Sequence, residues 1–111
     1  MQHKDLARLK HMLDSANAAL SFIKGRLRKD LDIDRQLLSA LIRELEILGE
    51  AANHTSQDTQ LKLTQIPWKQ IISMRNRLIH AYFDINKDIV WNTVQKILPN
   101  FCQSLDKSVF S

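Results

Sequence analysis

The 111-residue chain has little glycine, proline or cysteine, with two, two and one of each. Average usage would give roughly 12% Gly plus Pro, so β-hairpins have little of the turn chemistry they need. The single cysteine, Cys102, cannot form an internal disulfide. No apolar run approaches the ~20 residues of a membrane span, and no apolar segment follows Met1. We therefore expect a helical protein of a reducing cytoplasm, with no membrane span and no secretory signal.

The residues that are present fit a globular domain. Hydrophobic residues make up 44% and charged residues 25% of the chain, and the length suits one domain that covers residues 1–111. Sixteen Lys and Arg against twelve Asp and Glu give a net charge of +4. This excess is compatible with a polyanionic partner but is also common on solvated surfaces, so charge alone does not choose a function.

Apolar residues recur at three- and four-residue spacing, which indicates amphipathic helices. We expect a turn within 25–33, a polar connector over 55–65, and a last helix that Pro99 kinks or splits. Gly49, inside a helical pattern, indicates close approach of another helix or a local break. The simplest architecture is all-α, an antiparallel up-and-down bundle of four to five helices. The predicted helices cover 2–28, 34–54, 67–82 and a segment that begins after Asp84-Ile85-Asn86.

One stretch, MRNRLIHAYFD, concentrates polar chemistry. In a helix, Asn76 and His80 lie one turn apart on one face, with Asp84 a turn further on. Arg75 points roughly 100° to 140° away from them, and Tyr82 returns to nearly the direction of Arg75. Arg75 and His80 therefore converge on one substrate only in a wide groove, at an unwound helix end, or across two chains.

These groups suit phosphate chemistry. An imidazole that titrates near pH 6.5 can take and give a proton, and a guanidinium can stabilise a pentavalent phosphorane. Together they suffice in principle for metal-free RNA cleavage by attack of the 2'-hydroxyl. The chain also has no acidic residue between Asp58 and Asp84, which predicts a positive field around His80. The cations in that interval are Lys62, Lys69, Arg75 and Arg77.

Structural roles compete with each of these assignments. A histidine on a half-apolar helix is often satisfied by a carbonyl or by water, and Arg75 or Arg77 can pair with an acid such as Glu44 or Glu50. Trp68 and Trp91 occur at helical spacing, which favours core or dimer anchors over base stacking. The basic stretch 24–29 adjoins three aspartates, which favours a solvated face over an RNA footprint. These aspartates are Asp30, Asp32 and Asp34.

We expect no metal site. His3, His11 and His54 stand far apart in polar surroundings, without metal-ligand spacing to one another or to Cys102. They are expected to be surface residues.

The motif Arg75-x4-His80-x-Tyr82 resembles the R-x4-H-x-Y pattern of the HepT toxins, a branch of the HEPN superfamily of small all-helical ribonucleases. Three further segments resemble the same family, and together with the motif they extend the resemblance to nearly the whole chain. They are LEILGEA at 45–51, IPW at 66–68 and DINKDIVWNTV at 84–94.

The resemblance implies the toxin of a prokaryotic toxin-antitoxin module, with Arg75 and His80 as the catalytic pair of an endoribonuclease that acts on tRNA or mRNA without a cofactor. It also implies a homodimer whose motif helices meet at the two-fold axis, so that both chains line the cleft. The partner would be a minimal nucleotidyltransferase antitoxin, which uses ATP and magnesium to attach AMP to Tyr82. We assign supporting or RNA-binding roles to Asn76, Arg77, Lys69 and Asp84.

A second function remains open from the sequence. The same helical dimer could bind nucleotide or nucleic acid without catalysis, or serve as a scaffold subunit of a nucleotidyltransferase complex. In that case His80 would perform no acid-base work. A third, purely structural interpretation is a dimerisation subunit in which Arg75 and His80 pair with Glu44 or Glu50 of another helix.

Overall fold

Helices make up most of the molecule. A computed structural model describes residues 1–80 and 85–110, without the side chains of Ile79 and His80. It contains no strand in those residues, which confirms the all-α prediction. A π-helical turn, Thr93–Ile97, joins the last two helices. The helices are α1 His3–Ile23, α2 Asp30–Ile33, α3 Arg35–His54, α4 Gln57–Lys62, α5 Trp68–His80, α6 Lys87–Asn92 and α7 Leu98–Ser108.

Short polar side chains begin three of these helices, because each accepts backbone N–H groups that would otherwise lack a partner. Asp34 and Asn86 directly precede α3 and α6 and cap their first turns. Ser56 begins α4 inside the stretch that the sequence predicted as a connector.

The predicted first helix is too long by about five residues. It ends at Ile23 rather than Arg28, and Gly25 follows with φ of +75°, a conformation that side-chain-bearing residues rarely adopt. The short helix α2 occupies the second half of the predicted turn. Pro99 lies in the first turn of α7 and has no backbone N–H to donate. The wider π-helical turn before it accommodates this loss, so the helix is interrupted there but no separate tail splits off.

Contacts between distant residues establish the helix directions. Asp5 near the start of α1 bonds Ser56 after the end of α3, and Arg26 after α1 bonds Asp34 before α3, so these two helices are antiparallel. The Nε of Trp68 donates to the carbonyl of Leu63 at 3.0 Å, which places the start of α5 beside α4 and the end of α3.

The last helices return along α1. Arg28 bonds Asp88 at 2.7 Å, and the ammonium of Lys10 lies 5.9 Å from the ring centre of Phe110. The pair α6–α7 is therefore antiparallel to α1, and α5 connects the opposite ends of the molecule. This arrangement confirms the up-and-down order.

The core lies where α1, α3 and α7 meet, and α5 packs mainly on α3. Trp68 and Trp91 are each only 8% exposed, which confirms them as core residues. Fully buried members of the core include Leu9, Met12, Leu41, Leu45, Leu48 and Phe101.

A buried carboxylate links α1 to α4. Asp5 is fully buried and accepts the backbone N–H of Ser56 at 3.0 Å, the hydroxyl of Ser56, and the hydroxyl of Thr59 at 2.7 Å. These hydrogen bonds lower the pKa of Asp5 from 3.8 to about 2, and the bond from the Ser56 hydroxyl contributes most. Periodicity could not reveal this contact, because the partners are 51 residues or more apart.

The basic stretch after α1 is neutralised as the sequence suggested. Arg26 pairs with Asp30 and Asp34, and Arg28 pairs with Asp32 and Asp88. The guanidinium of Arg28 lowers the pKa of Asp32. These ion pairs join the segment after α1 to the starts of α3 and α6, and they leave little net charge there.

Candidate active site

The motif arginine lies at a helix crossing. Where α5 crosses α3, a Cβ placed on the buried Gly49 would overlap the Cβ of Arg75 and lie 2.5 Å from its Cγ. Only a residue without a side chain leaves room for the stem of Arg75. The prediction that Gly49 permits a close helix approach is confirmed.

The guanidinium of Arg75 is held at both terminal nitrogens. Its Nη2 donates to Oε2 of Glu50, and its Nη1 donates to Oδ1 of Asn76 at 3.0 Å. Its Nε is buried and has no hydrogen-bond partner among the described residues, while the side chain as a whole is 20% exposed. Three sides of the group are thus occupied or covered, and the remaining N–H bonds of Nη1 and Nη2 are left for a ligand.

These contacts refine two expectations. The chain carries no acid between Asp58 and Asp84, yet Glu50 from α3 lies against Arg75, so the positive field around the motif is smaller than the sequence suggested. The partner of Arg75 is Glu50 and not Glu44. The length of the arginine side chain also brings its guanidinium to Asn76, although the two Cα–Cβ bonds point about 100° apart.

The remaining motif residues are only partly described. His80 is the last residue of α5, and its side chain lies outside the described part of the structure. Tyr82 and Asp84 lie outside the described residues altogether. Their roles therefore stay predictions, as does the convergence of Arg75 and His80.

The other two predicted supporting cations lie away from Arg75. Lys69 is exposed beside the α4–α5 connection, where Pro67 and Gln70 line a separate hollow of about 400 Å³. Arg77 is exposed on α5. Within one chain, the structure brings Asn76 to Arg75 but neither Lys69 nor Arg77.

An open cleft of about 480 Å³ lies over α3, between α1 and α5, with Arg75 on its edge. Arg8 and His11 of α1 form one wall, and α3 contributes a strip of charged residues. Its floor is apolar, formed by Ile47 and Ala51. The strip consists of Arg43, Glu46, Glu50 and His54.

His11 and His54, which the sequence analysis expected on the surface, are exposed, and both line this cleft together with Arg75. His54 has its Nδ1 2.9 Å from the carbonyl oxygen of Glu50 and 3.4 Å from the Oε1 of that residue. The carboxylate of Glu50 therefore contacts both His54 and Arg75. The sequence did contain a signal for this strip of α3. Its residues are spaced by three, four and four positions, which places their side chains on one face of the helix.

No group of three or more His, Cys, Asp or Glu side chains is arranged to hold a metal ion in residues 1–78 and 85–110, whose side chains the structure describes. The thiol of Cys102 is buried, which raises its pKa to about 11, so it stays protonated and is a poor nucleophile. No helix in the described ranges is long and apolar enough to cross a bilayer.

Comparisons with known proteins identify the family of the chain. Residues 12–107 match the family model described as Ribonuclease HepT-like. A protein of Caldanaerobacter subterraneus subsp. tengcongensis, provisionally named an RNase, is 37% identical over 91 residues, which cover 82% of this chain and 81% of that protein.

Two archaeal relatives match over more of the chain. One from Methanocaldococcus jannaschii, also provisionally named an RNase, is 33% identical over 96% of this chain and 98% of its own length. One from Thermococcus cleftensis, named a probable ribonuclease HepT, is 31% identical over 95% of this chain and 94% of its own length. No solved structure gives a significant match. The family match over residues 12–107 and these relatives show that the chain belongs to the HepT-like ribonuclease family.

Proposed function

We propose that this chain is the toxin of a toxin-antitoxin module and a metal-independent endoribonuclease that cleaves tRNA or mRNA. Family membership supports the ribonuclease activity, and the Thermococcus cleftensis relative carries the name of a HepT ribonuclease. The observation that carries the proposal is the position of Arg75. Its guanidinium is fixed by Glu50 and Asn76 at the edge of an open cleft, on the same helix as His80.

The proposed reaction is an internal transesterification. The ribose 2'-oxygen attacks the adjacent phosphorus while its proton passes to a base, and the bond from phosphorus to the 5'-oxygen breaks as that oxygen takes up a proton. His80 transfers these protons, and Arg75 stabilises the phosphorane through its forked N–H groups. The products are a 2',3'-cyclic phosphate and a 5'-hydroxyl.

Two chains supply the complete site in this proposal. Because α5 packs mainly on α3, its opposite side leaves Ser73, Asn76 and Arg77 exposed. Pairing of two chains along α5 brings two copies of the motif to one groove and doubles the positive charge there.

Neutralisation of the toxin acts at Tyr82, two residues after His80 in the sequence. A minimal nucleotidyltransferase antitoxin, using ATP and magnesium, attaches AMP to the phenol oxygen. The added phosphate and adenosine stand two residues from His80, where they repel RNA and fill the groove.

The test is cleavage of a 5'-labelled RNA by the purified protein. His80→Ala and Arg75→Ala should each abolish cleavage, whereas the control Arg35→Ala, an exposed arginine of α3 that does not line the cleft, should cleave normally. EDTA should have no effect, and 2'-deoxyribose at the cut site should block the reaction. Full cleavage by the His80 variant would remove the catalytic assignment.

A non-catalytic subunit of a nucleotidyltransferase complex is the second candidate. The Arg75–Glu50 pair favours it, since such a pair is what a purely structural arginine would form. This candidate predicts that the wild-type protein binds RNA or nucleotide without cleaving it.

A further inference from the structure

The cleft between α1, α3 and α5 carries more arginines than the proposed cleavage reaction needs. Arg75 alone faces the reacting phosphate in the proposed function, yet Arg8 and Arg43 open onto the same 480 Å³ space. We propose that this cleft is a subsite that holds one nucleotide of the RNA, next in the strand to the phosphate that is cleaved. This inference rests on the proposed ribonuclease function and adds the path of the substrate.

The phosphate contacts come from two arginines. Arg43 is exposed and has no ion-pair partner among the described residues. Arg8 is 31% exposed and uses one terminal nitrogen for Asp5 at 3.4 Å, which leaves further N–H groups of its guanidinium for a ligand. A guanidinium has five N–H donors in a planar fork that matches phosphate oxygens.

The rest of the cleft suits a nucleoside. Ile47 and Ala51 are half-buried and form an apolar floor on which a base can lie. Glu46 and Glu50 stand beside that floor as acceptors for ribose hydroxyls or base amino groups. The volume lies within the roughly 300–1,000 Å³ typical of small-ligand sites.

An acidic protein segment fits the same cleft less well. Its acidic side chains would meet the three arginines but would bring no hydrogen-bond donors to the carboxylates of Glu46 and Glu50. RNA offers phosphates to the arginines and hydroxyl donors to the carboxylates. The continuity of the cleft with Arg75 places such a nucleotide beside the reacting group.

The test uses a short fluorescent RNA with 2'-O-methyl groups, which cannot be cleaved, and measures binding by anisotropy at several salt concentrations. Arg43→Ala should weaken binding roughly tenfold at low salt, equal to about 1.4 kcal/mol. It should also lower the slope of log K against log salt by about 0.7, the value for one phosphate contact of a single strand. The control Arg35→Ala should stay within about twofold of wild type.

Methyl NMR locates the bound nucleotide. Saturating RNA should shift the methyl signals of Ala51 and Ile47, whereas the methyls of Leu27, exposed in the turn after α1 and outside the cleft lining, should not move. An acidic peptide such as oligoglutamate should not reproduce these shifts. If it does, and RNA does not, the cleft is a protein-docking surface and the proposal is overturned.

The two proposals fail in different ways. If the wild type cleaves RNA but Arg43→Ala binds with unchanged affinity and salt slope, the subsite is wrong and the ribonuclease stands. If the wild type binds the oligonucleotide through Arg43 but does not cleave unmodified RNA, the subsite stands and the ribonuclease is wrong.

Discussion

Gly49 of α3 lies directly beneath the stem of Arg75 in α5, with no room between them for a methyl group. A glycine in a helix costs about 1 kcal/mol relative to alanine. In α3 this destabilising glycine stands at the position where the side chain of Arg75 packs across the helix.

Gly49→Ala should therefore destabilise the protein although alanine is the better helix former. The new Cβ would overlap the Cβ of Arg75, which cannot rotate away, and overpacking of this kind costs about 1–3 kcal/mol. We expect a lower melting temperature and at least a tenfold loss of cleavage, measured beside Asn53→Ala, an exposed position on the same helix. A melting temperature at or above that of wild type would contradict the close approach.

Glu50→Gln should separate binding from catalysis. Gln keeps an acceptor oxygen but removes a negative charge from the cleft, so KM for RNA should fall, while the less firmly held Arg75 should lower kcat by about tenfold. Steady-state kinetics on one RNA substrate measure both constants. Glu44→Gln, a half-buried carboxylate of α3 outside the cleft, is the matched control and should change neither. An unchanged or raised kcat in Glu50→Gln would argue against a positioning role for Glu50.

Tyr82→Phe should escape neutralisation while it keeps cleavage activity, because the phenol oxygen is the proposed site of AMP attachment. Intact-mass spectrometry of wild type produced together with the antitoxin should show additions of the mass of AMP, and the variant should show none. Mass additions that persist in the variant would place the modification on another residue.

The buried Asp5 should give the protein part of its acid sensitivity. Its pKa is lowered from 3.8 to about 2 in the folded state, so the stabilisation is complete above pH 4 and is lost as the pH falls toward 2. Arg26 and Arg28 also help lower the pKa of nearby aspartates, so the measurement is the difference between wild type and Asp5→Asn.

That difference in unfolding free energy should be largest near neutral pH, at about 2–4 kcal/mol, since the variant leaves buried donors of Ser56 and Thr59 poorly satisfied. It should shrink below pH 4. A difference that is constant from pH 6 to pH 2.5 would contradict the lowered pKa.

Cys102 should resist thiol reagents in the folded protein. Burial raises its pKa to about 11, so almost no thiolate is present at pH 8. We expect labelling by Ellman's reagent to be at least a hundredfold slower in buffer than in guanidinium chloride. Rapid labelling of the folded protein would show that the last helix opens readily.

Much of the fold follows from local signals in the sequence. The spacing of leucines indicates α1 and α3, and the short polar residues Asp34 and Asn86 mark helix starts, because these signals act within one or two turns. The end of α1 was harder to place, since apolar residues continue to Leu27 and the chain turns earlier.

The site was less predictable because it depends on residues distant in sequence. Arg75 was identified by its motif, and Glu50 was one of two acids named as its possible partner. Only the packing of α5 on α3 selects Glu50 over Glu44, and His11 reaches the cleft only through the packing of α1 on α3. Gly49 was the exception, since a glycine inside an apolar helix pattern already indicates a crossing.

The Asp5 cluster has a consequence for how the protein can be shortened. The family match begins at residue 12, but Asp5, Arg8 and the fully buried Leu9 all precede it. A truncation at the family boundary would remove the acceptor that secures α4, a piece of the core and one wall of the cleft together. The first turns of α1 are therefore an integral part of the domain, and expression tags belong before Met1 or at the opposite end.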